Sequence, residues 1–170
     1  MSDVAVSKLL RELERPSRMT IQEALDSRDP IAAVACRVRL FPLDDMTYEE
    51  EWFFRVGNFF GDAIESGLLQ ALKNETGNWF VEVEDFAKDY CAPELSRVLA
   101  QIRDVFPGGQ VPLYAEQRVP IIERVVSGDE VRFDNLSRAF FQYEGVFRDG
   151  LMKFIRHNQA CFENIDQVGG

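Results

Sequence analysis

Apolar residues recur along this chain at the three-to-four-residue interval of a helix far more than at the two-residue interval of a strand. The clearest run opens at Thr47, where Glu50 three positions on completes a capping box. Trp52, Phe53, Val56, Phe59, Phe60, Ala63 and Ile64 then form one stripe. Trp79, Val83, Phe86 and Tyr90 make a second. Leu95, Val98, Leu99, Ile102 and Phe106 make a third, with Pro93 in its first turn and Pro107-Gly108-Gly109 ending it. Leu136, Phe140, Tyr143, Phe147, Leu151, Phe154 and Ile155 predict a long last helix from about Asp134 to His157.

Shorter elements fill the gaps. Val4, Leu9, Leu10 and Leu13 predict a helix over Ser2 to Arg15, stopped by Pro16. Thr20, with Glu23 at the capping-box position, caps a turn of helix from Ile21 to Leu25, and Asp29-Pro30 breaks it. Ile31 to Phe41 supports two patterns: its alanines favour helix, while Val34, Cys36, Val38 and Leu40 alternate as in a strand. With no partner strand in view, helix or irregular structure is expected. Glu65-Ser66-Gly67 is a break, Leu68 to Leu72 a short helix, and Asn74 to Gly77 a turn. Glu116 to Val126 reads as helical in part, with Pro120 in its first turn or kinking it. Ser127-Gly128-Asp129 is a turn. Gly57 and Gly61 weaken the Thr47 helix, which predicts close packing of another helix against them. The fold expected is all-α, a compact orthogonal bundle of about six to eight helices. Residues 1–43 form an N-terminal extension, 44–158 the body and 159–170 a flexible tail.

The length, 170 residues with 46% apolar, permits a core that needs no metal or disulfide. No apolar run approaches the ~20 residues of a membrane span, and the charged N-terminus does not read as a secretory signal. Cys36, Cys91 and Cys161 are odd in number and lack a CxxC spacing, so reduced thiols and a cytoplasmic location are expected. The materials for catalysis are thin. The single His157 excludes a His pair for zinc, no Gly-rich phosphate loop or nucleophile motif appears, and paired acids are too numerous to single any out. No enzyme activity, metal or cofactor is expected. His157 reads as a C-terminal helix cap.

Charge changes the picture more than composition does. The net charge is -10. Residues 44–94 hold 13 Asp/Glu against 3 Lys/Arg, so this stretch carries the whole excess. Such a protein repels nucleic acid and anionic membrane and attracts basic surfaces. The acids fall in groups: Asp44, Asp45, Glu49, Glu50 and Glu51 at a helix start; Asp62 with Glu65; and Glu82, Asp85 and Asp89 on one face opposite the Trp79 stripe. Each group has a plain explanation. Acids at an N-terminus suit the helix dipole, and a surface helix shows a polar face.

The order of motifs from Met46 to Asn158 supplies a second explanation. An acidic helix start, Thr47-Tyr48-Glu49-Glu50-Glu51-Trp52, leads to Glu65-Ser66-Gly67-Leu68-Leu69-Gln70. Asn74-Glu75-Thr76-Gly77 follows, then Cys91-Ala92-Pro93-Glu94-Leu95, Phe106-Pro107-Gly108-Gly109 and Phe133-Asp134-Asn135-Leu136. This layout resembles the DNA-mimic protein family of small all-α bacterial domains. It departs at the Asn-Gly-Gly turn, of which Gly67 remains, and at the aromatic pair after Gln, here Ala71-Leu72. The resemblance implies an acidic, often dimeric protein that presents carboxylates where DNA presents phosphates. Its partner would be a basic DNA-binding protein or a nuclease toxin, with no direct contact to nucleic acid or membrane. Asp44, Asp45, Glu49, Glu50, Asp62, Glu65, Glu82, Asp85 and Asp89 would then be the partner-binding residues. An immunity protein against a cognate toxin is the alternative. An adaptor using an exposed ring among Phe140, Phe141, Tyr143 and Phe147 is a further one.

Overall fold

A computed structural model describes residues 20–40 and 42–163. The predicted helix over Ser2 to Arg15 and the end of the predicted tail lie outside the described residues. Among those described there is no strand. The α-helices are α1 (Ile21–Leu25), α2 (Pro30–Val38), α3 (Tyr48–Ser66), α4 (Leu68–Lys73), α5 (Phe80–Tyr90), α6 (Pro93–Arg103), α7 (Ala115–Gly128), α8 (Glu130–Phe141), α9 (Glu144–His157) and α10 (Gln159–Glu163). Short 3₁₀ turns occupy Leu43–Asp45, Glu75–Trp79 and Pro107–Gly109. The protein is all-α.

Local chemistry explains where helices begin. Both capping boxes form: Thr20 with Glu23 opens α1, and Thr47 with Glu50 opens α3. Asp29 caps α2 by accepting from the Ala32 amide at 3.2 Å, with Pro30 at the first helical position. The ambiguous segment is therefore helical. Its buried side chains, Val34, Arg37 and Val38, keep the 3.6-residue period, and the alternating Cys36 and Leu40 face outward. Gly67 separates α3 from α4 with φ of 91°, a conformation that glycine adopts without steric cost.

α3 and α9 run antiparallel through the core. Trp52 meets Phe154 at 5.1 Å between ring centroids, and Phe60 stacks on Phe147 at 4.2 Å. α5 packs on both, placing Phe86 against Phe147 at 5.1 Å. α2 lies on α3 and α9, and α1 on α2 and α10.

Three expectations need correction. The long last helix is two, α8 and α9, with a break at Gln142 and Tyr143. Phe140 and Phe147 would lie about 10 Å apart along a straight helix. Both contact Phe60, at 6.3 and 4.2 Å, so the chain bends to bring them together. Residues 159–163 are not a loose tail. They form α10, whose Phe162 is fully buried against Phe53 and Phe154 and whose carbonyl accepts from Arg37 Nη2 at 2.9 Å. Finally, no described helix packs on Gly57 or Gly61, because a Cβ at either would meet nothing within 4 Å. They floor an open groove instead.

One side chain that periodicity could not flag ties the second half to the first. Arg118 of α7 is 0% exposed. Its Nε donates to the Leu72 carbonyl (2.8 Å), Nη1 to those of Pro112 (2.9 Å) and Leu113, and Nη2 to that of Asn74 (2.6 Å). The end of α4 and the Gln110-to-Tyr114 connector are thus held by one guanidinium. Gly77 passes so close that a Cβ there would sit 2.7 Å from the Leu72 carbonyl and 2.9 Å from Arg118 Nη2.

Candidate functional site

The nine acids singled out by sequence divide according to what the fold does with them. Glu50 leaves the set. It is 1% exposed, and its Oε2 accepts from the Thr47 amide at 2.8 Å, completing the capping box. Burial raises its carboxyl above the usual range, with the Thr47 hydrogen bonds and the Arg37 charge opposing. A carboxylate closed in by its own helix start cannot reach a partner. The capping signal was in the sequence; the burial that follows from α10 and Arg37 closing over it was not.

Asp62 is also engaged internally. Thr76 Oγ1 donates to it at 2.5 Å and Asn74 Nδ2 at 2.9 Å. Burial works against its charge, but the hydrogen bonds from Thr76, Asn74 and Ser66 prevail and hold the carboxyl below the usual range. Its role is to fasten α3 to the Glu75–Trp79 turn that launches α5. Glu49 is half-buried near Cys161, whose thiol burial and the carboxylates of Glu49 and Glu50 push up.

On α5 the three expected acids do share a face. Their offsets of three and seven residues span about 60° of helix rotation. Glu82 is partly spent: Arg55 Nη1 of α3 bonds it at 3.0 Å while Nη2 holds Glu51 at 2.5 Å. Asp85 is exposed and pairs with Lys88 at 2.8 Å. Asp89 is exposed and makes no ion pair among the described residues. The same holds for Asp44 and Asp45 in the Leu43–Asp45 turn and for Glu65 at the end of α3.

The acids therefore do not form one stripe. On α3, Glu49 and Glu65 are sixteen residues apart, about 24 Å along the axis and some 160° in rotation. The structure gathers Glu82, Asp85 and Asp89 on one helix face, leaves Asp44 and Asp45 on a projecting turn, and sends Glu65 to a groove beside α2 and α9.

Of the 13 acids in residues 44–94, five form ion pairs among the described residues: Glu51, Glu82, Glu84, Asp85 and Glu94. Folding neutralises less than half of the excess, and the field of the segment persists.

Several residues escaped sequence reasoning. Arg55 and Arg103 are the cations that draw acids inward, the latter holding buried Glu84 at 3.1 Å. Pairing between helices leaves no trace in linear spacing. Tyr48 is 73% exposed beside Asp44, Asp45 and Glu49 in sequence; its position off the core stripe was the available signal. The ring-exposure idea for an adaptor does not hold. Phe140 and Phe147 are buried, and Phe141 and Tyr143 are half-buried. The Cys91 thiol is pushed up to about 11 by burial and stays protonated at neutral pH. Among the described residues no group of three or more His, Cys, Asp or Glu is gathered as a metal site, and no helix is long and apolar enough to cross a membrane.

Fold and surface together define a small acidic all-α protein whose charge sits on the helices of its first half. Residues 44–158 match the family model described as DMP19-like protein, and the chain belongs to that family. Neither a curated protein nor a solved structure matches it.

Proposed function

We propose that this protein is a non-catalytic inhibitor that binds a basic, nucleic-acid-binding protein in the cytoplasm, its carboxylates standing in for DNA phosphates. The observation that supports this most is the state of α5. Its Trp79-side face is locked in the core, with Phe80, Val83 and Phe86 buried, while Asp85 and Asp89 stand exposed one turn apart. A rigid helix can hold charges at fixed spacing without paying to order them.

That spacing is about 6 Å along the axis. A DNA strand presents a phosphate every 3.4 Å of axis, so α5 would substitute for roughly every second one. Asp44 and Asp45 add charge from a separate turn. Each exposed carboxylate accepts Lys or Arg contacts of the kind a phosphate makes. Glu82 contributes field more than contact, since Arg55 of α3 already occupies it in a half-buried pair, and Asp85 meets a partner by exchanging its exposed Lys88 for the partner's cation.

The reading predicts capture of a basic DNA-binding protein or nuclease from lysate at about 50 mM salt and its release as salt rises past about 200 mM, the range over which phosphate-type contacts fail. Asp85→Lys with Asp89→Lys should sharply reduce capture at about 50 mM salt while the helical circular dichroism stays unchanged. Full retention by that double variant would sink the reading, as would a captured protein that is acidic or insensitive to salt.

A further inference from the structure

A groove of about 300 Å³ runs between α2, α3 and α9, apart from the acidic face of α5, and among the described residues no element fills it. We propose that it is a docking site for a short amphipathic helix that carries a basic residue at one end. That helix belongs to the basic partner, so this part rests on the reading above.

The groove extends along α3 from Phe53 to Glu65, about 18 Å or a little over three turns. Its walls are apolar: Ile31, Ala35 and Val38 from α2, and Ile64 and Leu151 opposite. Long and shallow, it has room for two or three side chains. That suits the anchors of a helix laid in a groove, at i, i+3 or i+4, and i+7, better than one compact ligand.

Its floor is built from choices that weaken α3. Gly57, Gly61 and Glu65 are four residues apart on one side of the helix, and all three line the groove. Glycine inside a helix is costly, and among the described residues no packed neighbour explains it, since a Cβ at Gly57 or Gly61 meets none of them within 4 Å. Glu65 lies in a last turn that holds no basic residue, so its charge opposes the helix dipole. Three local costs on one face are what a binding surface leaves behind. A bare glycine floor lets another backbone come close.

The groove also has polarity along its length. Because α3 and α9 are antiparallel, with Trp52 level with Phe154 and Phe60 with Phe147, Glu144 falls level with about Asp62 and Ala63. Glu65 and Glu144 therefore sit at the same mouth. Both are exposed, and neither forms an ion pair among the described residues. The groove's cations are each engaged by another lining residue: Arg148 by Asp29 at 3.1 Å, and Arg39 by Asn58 at 2.7 Å, which leaves Glu65 and Glu144 as its acids without an ion pair among the described residues. One acidic mouth on an apolar trough selects a Lys or Arg at one end of the bound helix.

The test uses the full chain and a labelled 14-residue peptide of leucine and lysine in amphipathic helical register, read by fluorescence anisotropy. Binding of this one segment should be too weak to hold a partner through a wash, yet should persist at 1 M salt, where charges screen within about 3 Å, so release of a whole partner by salt still reports the α5 contacts. Gly57→Leu with Gly61→Leu should weaken it at least about tenfold at that salt, with the thermal midpoint retained. Glu65→Lys with Glu144→Lys, which leaves the floor intact, should lower affinity for this peptide and raise it for one with glutamate in place of lysine. Asp85→Lys with Asp89→Lys should leave peptide binding at 1 M salt unchanged, so a failure of the α5 reading is separable from a failure here. Equal affinity in the filled-groove variant, or no discrimination between the two peptides by the reversed mouth, overturns the proposal. So does self-association, by sedimentation velocity, that the filled groove abolishes while peptide binding is untouched: the occupant would then be a second copy.

Discussion

Replacing Arg118 by Met keeps an apolar stem in a fully buried position and removes the guanidinium. Four hydrogen bonds disappear, to the carbonyls of Leu72, Asn74, Pro112 and Leu113. Hydrogen bonds from a charged donor contribute about 1.5–3 kcal/mol each, a gross loss of roughly 6–12 kcal/mol. Against this, the variant no longer buries a charge, which costs several kcal/mol per ion even after relaxation. Among the described residues no carboxylate pairs with that charge directly, and burial lowers the pKa of Arg118 against the opposing charge of Glu116. The net loss expected is about 3–5 kcal/mol, as when one partner of a buried polar set is deleted. For a chain of this length each kcal/mol moves the midpoint by roughly 2–4 °C, so calorimetry should show a fall of about 6–20 °C. Arg118→Lys should recover little, because one ammonium cannot span carbonyls that a planar fork reaches from three nitrogens. A loss below about 1 kcal/mol, or a lysine variant equal to wild type, would refute the account. The consequence reaches the surface: Asn74 and Thr76, in the strap that Arg118 fixes, clamp Asp62 and set the start of α5. The double reversal on α5 should therefore be judged only in protein whose midpoint is intact.

The other predictions concern glycines and buried acids. Gly57→Ala and Gly61→Ala should each raise stability by up to about 1 kcal/mol in urea titrations, since helix propensity improves and a Cβ meets nothing. Gly77→Ala should do the reverse, by about 1–3 kcal/mol, because its Cβ would collide with the Leu72 carbonyl and Arg118. Glu84 is buried and its carboxyl is raised by desolvation despite Arg103. The native state thus holds its proton to higher pH than the unfolded chain, and stability falls as pH rises from about 4.3 through the folded value. Glu84→Gln should remove that fall and be as stable as wild type, or more so, at pH 7 by urea midpoint; a loss near 3 kcal/mol would show the Arg103 pair to be strongly favourable instead. Asp62 has the opposite sign. Its lowered carboxyl stabilises the fold above about pH 3.9, and that contribution is lost as pH falls below it, so Asp62→Asn should flatten the acid limb of an unfolding profile.

Much of the fold was legible in the sequence because helix formation here is decided locally. Two capping boxes, Gly67 after α3 and the stripes of α3, α5 and α6 each act within a few residues, and each appears where the pattern predicts, while Asp29-Pro30, read as a break, also opens α2. What pattern could not supply were decisions made by residues distant in sequence. The break at Gln142 exists because Phe140 and Phe147 both seek Phe60, some eighty positions earlier. α10 exists because Phe162 finds Phe53 and Phe154.

The same division governs the acids. Helical spacing correctly put Glu82, Asp85 and Asp89 on one face, since that depends on rotation along a single helix. It could not say which of them would meet a cation, because Arg55 arrives from α3 and takes Glu82, while Lys88 comes from the next turn and takes Asp85. Nor could it separate Glu50 from Glu49: adjacent in sequence, they differ by about 100° in direction, enough to bury one as a cap and leave the other half-exposed. Charge counted along a chain overstates the charge a partner meets. In this protein the surplus that survives folding is spread over a turn, a helix face and the mouth of a groove. A partner that engages all three must therefore wrap more than one side of α3, which a single straight run of phosphates does not do. The α5 face and the groove mouth are best regarded as separate contacts, and a variant at one should weaken a shared partner without abolishing what the other retains.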